Sequence, residues 1–142
     1  MKKHILPLML VLVPVLALTA CGPNRQQADQ KILNACLAAL KTVHGPDDSI
    51  DLQEKTFESS KSQTGSKLRT VKIRAYLTKN RGMIEEKNFS CTFDEVSGLF
   101  GYSPEFYSMD AGGRLYGNVD GVIKGGVTEM MNITAAVEAE LR

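Results

Sequence analysis

Two stretches of alternating polar and apolar residues, Lys67 to Thr78 and Met83 to Phe93, constrain this chain more than any other feature. In the first, Val71, Ile73, Ala75 and Leu77 fall on one face, and Lys72, Arg74 and Tyr76 on the other. In the second, Phe89, Cys91 and Phe93 share a face. A period of two is that of a strand half buried against a core. Register then decides how the two strands meet. A two-residue loop, Arg81-Gly82, would set Ile73 opposite Ser90, so the apolar faces would disagree. A three-residue loop, Asn80-Arg81-Gly82, pairs Lys79 with Met83 and aligns Ile73 with Phe89 and Val71 with Cys91. A slip of one residue turns every side chain over, so the three-residue loop is expected. It puts Gly82 at the left-handed position such loops need.

Helical periodicity flanks this hairpin. From Ala28 to Val43, apolar residues at 32, 33, 36, 37, 40 and 43 follow the i, i+3/i+4 spacing. Asp29 near the start and His44-Gly45-Pro46 at the end read as its boundaries. Ser49 to Leu52 alternates and predicts a first strand running toward Phe57, followed by an exposed loop from Ser59 to Ser66. Beyond the hairpin, Leu99 to Tyr102 and Arg114 to Gly117 read as short strands, punctuated by Pro104, Gly112-Gly113 and Asp120-Gly121. Val127 to Leu141 predicts a closing helix with Met130, Met131, Thr134, Val137 and Leu141 as its stripe, capped at Gly126 or Thr128. Helix, antiparallel strands, helix is the order of an α+β domain with its helices on one sheet face.

The N-terminus carries a different message. Met1-Lys2-Lys3-His4 precedes an apolar run from Ile5 to Ala20. A charged start and a short apolar core make a secretory signal, and the run is shorter than the roughly 20 residues a spanning helix needs. It ends in Leu18-Thr19-Ala20-Cys21-Gly22, which resembles the lipobox of bacterial lipoproteins. That resemblance implies a diacylglyceryl group on the Cys21 sulfur and cleavage before Cys21. In Gram-negative lipoproteins, an Asp straight after the Cys commonly holds the protein at the inner membrane. Gly22 stands there instead, so the resemblance implies an outer-membrane anchor facing the periplasm. Residues 1–20 are then a cleaved signal, 21–27 a lipidated tether and 28–142 a single α+β periplasmic domain. The bland alternative is a plain secretory signal with Cys21 an ordinary thiol.

The lipobox accounts for one of three cysteines. Cys36 lies on the apolar stripe of the first helix and Cys91 on the inward face of the second hairpin strand. An exported chain with one remaining pair predicts a Cys36–Cys91 disulfide. The alternative is two buried free thiols. Metal binding is weaker, since neither cysteine has a Cys or His at ligand spacing.

Little in the chain suggests catalysis. His44 is the only histidine outside the signal, and a helix-end histidine beside the negative dipole end is its expected role. No Gly-x-Ser-x-Gly and no phosphate-cradling glycine motif occurs. Asn118-Val119-Asp120-Gly121 falls short of a calcium loop, with Tyr116 and Val127 at ligand positions, and reads as a turn. No metal or cofactor is expected. Removing Lys2 and Lys3 from 17 basic residues leaves 15 against 16 acidic ones. That balance argues against a nucleic-acid binder.

Two features suggest a binding surface. Lys61, Lys67, Arg69, Lys72, Arg74, Lys79 and Arg81 form a basic stretch without an acid from Ser59 to Ile84. On a strand, Lys72, Arg74 and Tyr76 would share the solvent face and meet anionic partners, or form an ordinary solvated face tempered by Glu85 and Glu86. Phe100, Tyr102, Phe106, Tyr107 and Tyr116 cluster in a glycine-bearing segment suited to protein or glycan contact, or fold back over the sheet. The candidate partner-binding residues are Lys72, Arg74, Tyr76, Tyr102, Phe106 and Tyr107. The function these readings favour is a non-catalytic, lipid-anchored binding or accessory lipoprotein of the cell envelope, with an envelope protein or glycan as partner. The alternatives are an inhibitor or exclusion lipoprotein and a small periplasmic enzyme.

Overall fold

The structure, a computed structural model, describes residues 24–80, 82–98 and 101–142. The lipobox, Cys21, Arg81 and Phe100 lie outside the described residues. Helix α1 (Arg25–His44) is followed by β1 (Ser49–Lys61), β2 (Lys67–Thr78), β3 (Ile84–Gly98), β4 (Gly101–Asp110), β5 (Leu115–Val119), β6 (Val122–Lys124) and helix α2 (Val127–Leu141). The six strands form one antiparallel sheet in chain order. Both helices pack on one face of it and against each other, which is the predicted α+β arrangement.

The hairpin has the expected register. Ile73 pairs with Phe89 and Val71 with Cys91. The Lys79 N–H donates to the Met83 carbonyl at 2.9 Å, and Gly82 sits at φ +74°. Val71, Ile73, Ala75, Leu77, Phe89, Cys91 and Phe93 are buried beneath α1, which contributes Ile32, Leu33, Cys36, Ala39 and Leu40. The Cys36–Cys91 disulfide crosses between these two layers, with Cα atoms 5.6 Å apart.

Several expected boundaries move. Helix α1 begins at Arg25, inside the segment expected as tether. Asn24 is the N-cap, its Oδ1 accepting from the Gln26 N–H at 3.2 Å. Asp29 therefore does not mark the helix start; its carboxylate binds Arg69 on β2. Strand β1 extends to Lys61, so the exposed loop shrinks to 62–66. Its last residues are polar on both faces, and the ladder to β2, rather than an apolar stripe, holds them in place.

The largest correction concerns the aromatic segment, where the short strand expected to end at Tyr102 runs on to Asp110. Strand β4 pairs with β3 from Gly101 to Asp110, and Pro104 lies inside it opposite Glu95. Proline is tolerated because β5 pairs with β4 only over Ser108–Asp110, leaving the Pro104 stretch at a sheet edge. The β3–β4 register shifts between Thr92 and Phe93, so Tyr107 is an extra residue between Phe106 and Ser108. Gly117 answers this on β5. It has φ +83°, and a Cβ there would run into the Tyr107 carbonyl.

Helix α2 has the expected bounds, with Gly126 as N-cap and the Glu129 carboxylate accepting from the Gly126 N–H at 3.1 Å. Its inward stripe is differently phased. Ile133 and Val137 are buried, while Met131, expected inward, is 68% exposed.

Candidate binding surfaces

The six residues singled out in the sequence do not form one surface. Lys72, Arg74 and Tyr76 do share the helix-free face of the sheet. Cross-strand pairing places Thr56, Lys72, Ser90 and Asp110 in one row, and Glu54, Arg74 and Asn88 in the next. The cations are neutralised within this face. Lys72 Nζ lies 2.8 Å from Glu58, and Arg74 reaches Glu54 at 2.8 Å and Glu86 at 3.4 Å. On the opposite, helix-bearing face, Lys87 and Lys79 both hold Glu85 and keep its carboxyl below its ordinary range. The acids that matter most come from β1: Glu54, inside the strand expected from the sequence, and Glu58, one residue past its expected end.

Tyr102 and Phe106 turn to the opposite, helix-bearing face. Phe106 meets Phe93 edge-on, with ring centroids 6.2 Å apart. Tyr102 packs against the core and its hydroxyl donates to Glu95 Oε1 at 2.9 Å. Burial, and then the bond to Glu95, push the Tyr102 hydroxyl's pKa well above its ordinary value. Tyr116 is buried as well. Of the described aromatics in this segment, Tyr107 alone joins the helix-free face. It lines a depression of about 310 Å³ with the hydroxyls of Ser60, Thr70, Thr92 and Ser108 and the side chains of Asn118 and Asp120. The Thr70 and Thr92 hydroxyls are bonded to each other at 2.9 Å. Residues 118–121 are the β5–β6 turn, where Asn118 Oδ1 accepts from the Gly121 N–H at 3.0 Å.

His44 ends α1 as expected. Its ring meets Phe89 edge-on at 5.5 Å, and Nε2 is buried without a hydrogen-bond partner among the described residues. Burial and the nearby Arg114 lower its pKa, so the neutral imidazole is favoured. Among the described residues no carboxylate or hydroxyl hydrogen-bonds it, and its contact is the edge-on packing with Phe89.

The surface that sequence reasoning missed lies between β6 and α2. Ile123 is 68% exposed, Val127 80% and Met131 68%. Together with Met130, Thr134 and Ala135 they line an apolar groove of about 480 Å³, with Glu138 beside it. Scattered exposed apolar residues are ordinary, but a contiguous set along one groove marks a contact site. Strand β6 is also one of the two edge strands of the sheet among the described residues. The signal was present in α2 itself. Its apolar positions 127 and 131 fall beside the stripe of 130, 133, 137 and 141, so that one core-facing stripe does not absorb them. No family model, no curated protein and no solved structure matches this chain.

Proposed function

We propose that this chain is a non-catalytic, lipid-anchored binding lipoprotein of the cell envelope, held at the outer membrane through Cys21 and facing the periplasm. In this reading it docks another envelope protein through the β6–α2 groove. The groove carries the reading. Covering Ile123, Val127 and Met131 would contribute roughly 1.5–3 kcal/mol each. Glu138 beside the apolar floor favours a partner with an apolar anchor and a basic rim. The self-neutralised β2 face supplies no comparable attraction. A photoreactive residue placed at Met131 in intact cells tests this. It is expected to give one discrete crosslinked partner, lost when Ile123→Asp is added, while the same probe at Tyr76 gives none. Absence of an adduct at Met131 removes the groove from the function. The anchor is tested separately, since Cys21→Ser should abolish incorporation of a clickable fatty acid.

A second reading, glycan contact, is favoured by Tyr107 standing among hydroxyl and amide groups on the helix-free face. Loss of binding to soluble glycan fragments in Tyr107→Ala, with folding intact, would support it.

A further inference from the structure

We propose that the β1–β2 hairpin tip is the domain's bilayer contact, with Lys61 and Lys67 set against anionic phospholipid headgroups. The inference rests on lipidation at Cys21. Cys21 precedes the N-cap Asn24 by three residues, a chain length of at most about 11 Å. An acylated Cys21 therefore holds the start of α1 at headgroup level.

The structure shows what else lies at that end. Arg25 in the first turn of α1 donates to Glu95 at the end of β3 at 2.6 Å, and to Ser59 on β1 at 3.4 Å. Asp29, one turn on, binds Arg69 near the start of β2. The hairpin tip 62–66, which joins β1 to β2, is therefore at the same end of the sheet as the start of α1, while the Asn80 loop lies at the other end of β2.

The charges at this end divide into two groups. Arg25, Asp29, Arg69 and Glu95 satisfy one another. Lys61 and Lys67 have no acidic partner among the described residues, although Glu95 lines the same shallow depression with its carboxylate committed to Arg25 and Tyr102. The two lysines are also direct cross-strand partners. Like charges directly opposite destabilise a strand pair, and an anion between them removes that penalty. The tip they flank, Ser62-Gln63-Thr64-Gly65-Ser66, carries hydroxyl and amide groups and no apolar side chain. Such a tip rests among headgroups rather than inserting into hydrocarbon. Lysines near an anionic surface are attracted over about a Debye length.

The chain has no tryptophan, so a single Thr64→Trp substitution makes a unique reporter. The full-length, processed protein is reconstituted in phosphatidylglycerol vesicles carrying a headgroup-proximal bromolipid quencher. Thr64→Trp fluorescence is expected to be strongly quenched, and that of an Asn80→Trp control unquenched. Adding Lys61→Glu and Lys67→Glu should bring the Thr64→Trp signal to the control level. Phosphatidylcholine vesicles should give weaker quenching that charge reversal leaves unchanged. Acylated protein whose Thr64→Trp reporter is unquenched, or indifferent to the charge reversal, overturns this placement alone. Protein that carries no lipid by mass and does not float with vesicles overturns the anchor, and this placement with it.

Discussion

Asp29 and Arg69, forty positions apart, form a two-pronged ion pair that ties α1 to β2. Arg69 Nε donates to Asp29 Oδ1 at 2.9 Å and Nη2 to Oδ2 at 2.6 Å. Both side chains are mostly buried, at 13% and 15% exposed, and the guanidinium also lies 5.4 Å from the centre of the Phe57 ring. Exposed pairs contribute little, but partial burial and bidentate geometry raise the cost of removing one partner. Asp29→Ala should lower unfolding free energy by about 2 kcal/mol in urea titration. Arg69→Met should cost less, because its stem still covers Phe57. The double variant should lose less than the sum of the two.

The disulfide joins the same two layers deeper in the core. Cys36 and Cys91 are 55 positions apart and both fully buried. Closing a loop of that length contributes about 4 kcal/mol in the chain-entropy model. Cys36→Ala with Cys91→Ala should therefore lower the urea midpoint substantially. Thiol titration of denatured, unreduced mature protein should find neither cysteine free.

How much of this was readable beforehand depends on where side-chain pattern and burial coincide. In β2 and β3 each inward residue meets the core, so alternation defined strands, register and the Cys36–Cys91 meeting. In β1 the chain from Glu58 to Lys61 is polar on both faces, and only the backbone ladder keeps it extended. No side-chain pattern can report that. Strand β4 was hidden for another reason. Pro104 and the extra residue at Tyr107 break the alternation, so the strand expected at Leu99–Tyr102 could not be followed to Asp110. The candidate site inherited both errors. The acids of β1 that neutralise Lys72 and Arg74 were assigned no strand partner, and of the two readings left open for Tyr102 and Phe106, contact or folding back over the sheet, the second holds.

His44 makes stability depend on pH in a defined direction. Burial and Arg114 hold its folded pKa below the ordinary histidine value of about 6.5, which the unfolded chain keeps. The unfolded state therefore binds the proton first. Its contribution is fully present above pH of about 6.5 and is lost as pH falls from there through the depressed folded value. Wild-type protein should lose urea stability over that interval relative to His44→Gln, whose curve should be flatter there. Parallel curves for the two proteins would remove His44 as the cause.

The two kinds of exposed and half-exposed apolar residue make opposite predictions. Phe106 packs edge-on against buried Phe93, so Phe106→Ala should cost roughly 2–4 kcal/mol, somewhat under the loss for a fully buried ring. Any loss of partner capture in that variant would follow from unfolding. Met131 is largely solvent-exposed beside Ile123 and Val127. Met131→Asp should leave unfolding free energy within about 0.5 kcal/mol, as surface substitutions do. It places a charge in the apolar groove next to Glu138, so a docked apolar anchor would have to desolvate a carboxylate. Crosslinking from a photoreactive residue at Val127 should then disappear while the melting curve is unchanged. If Met131→Asp unfolds the domain, the residue belongs to the core. If the stable variant still crosslinks to the same partner, the groove is not where that partner binds.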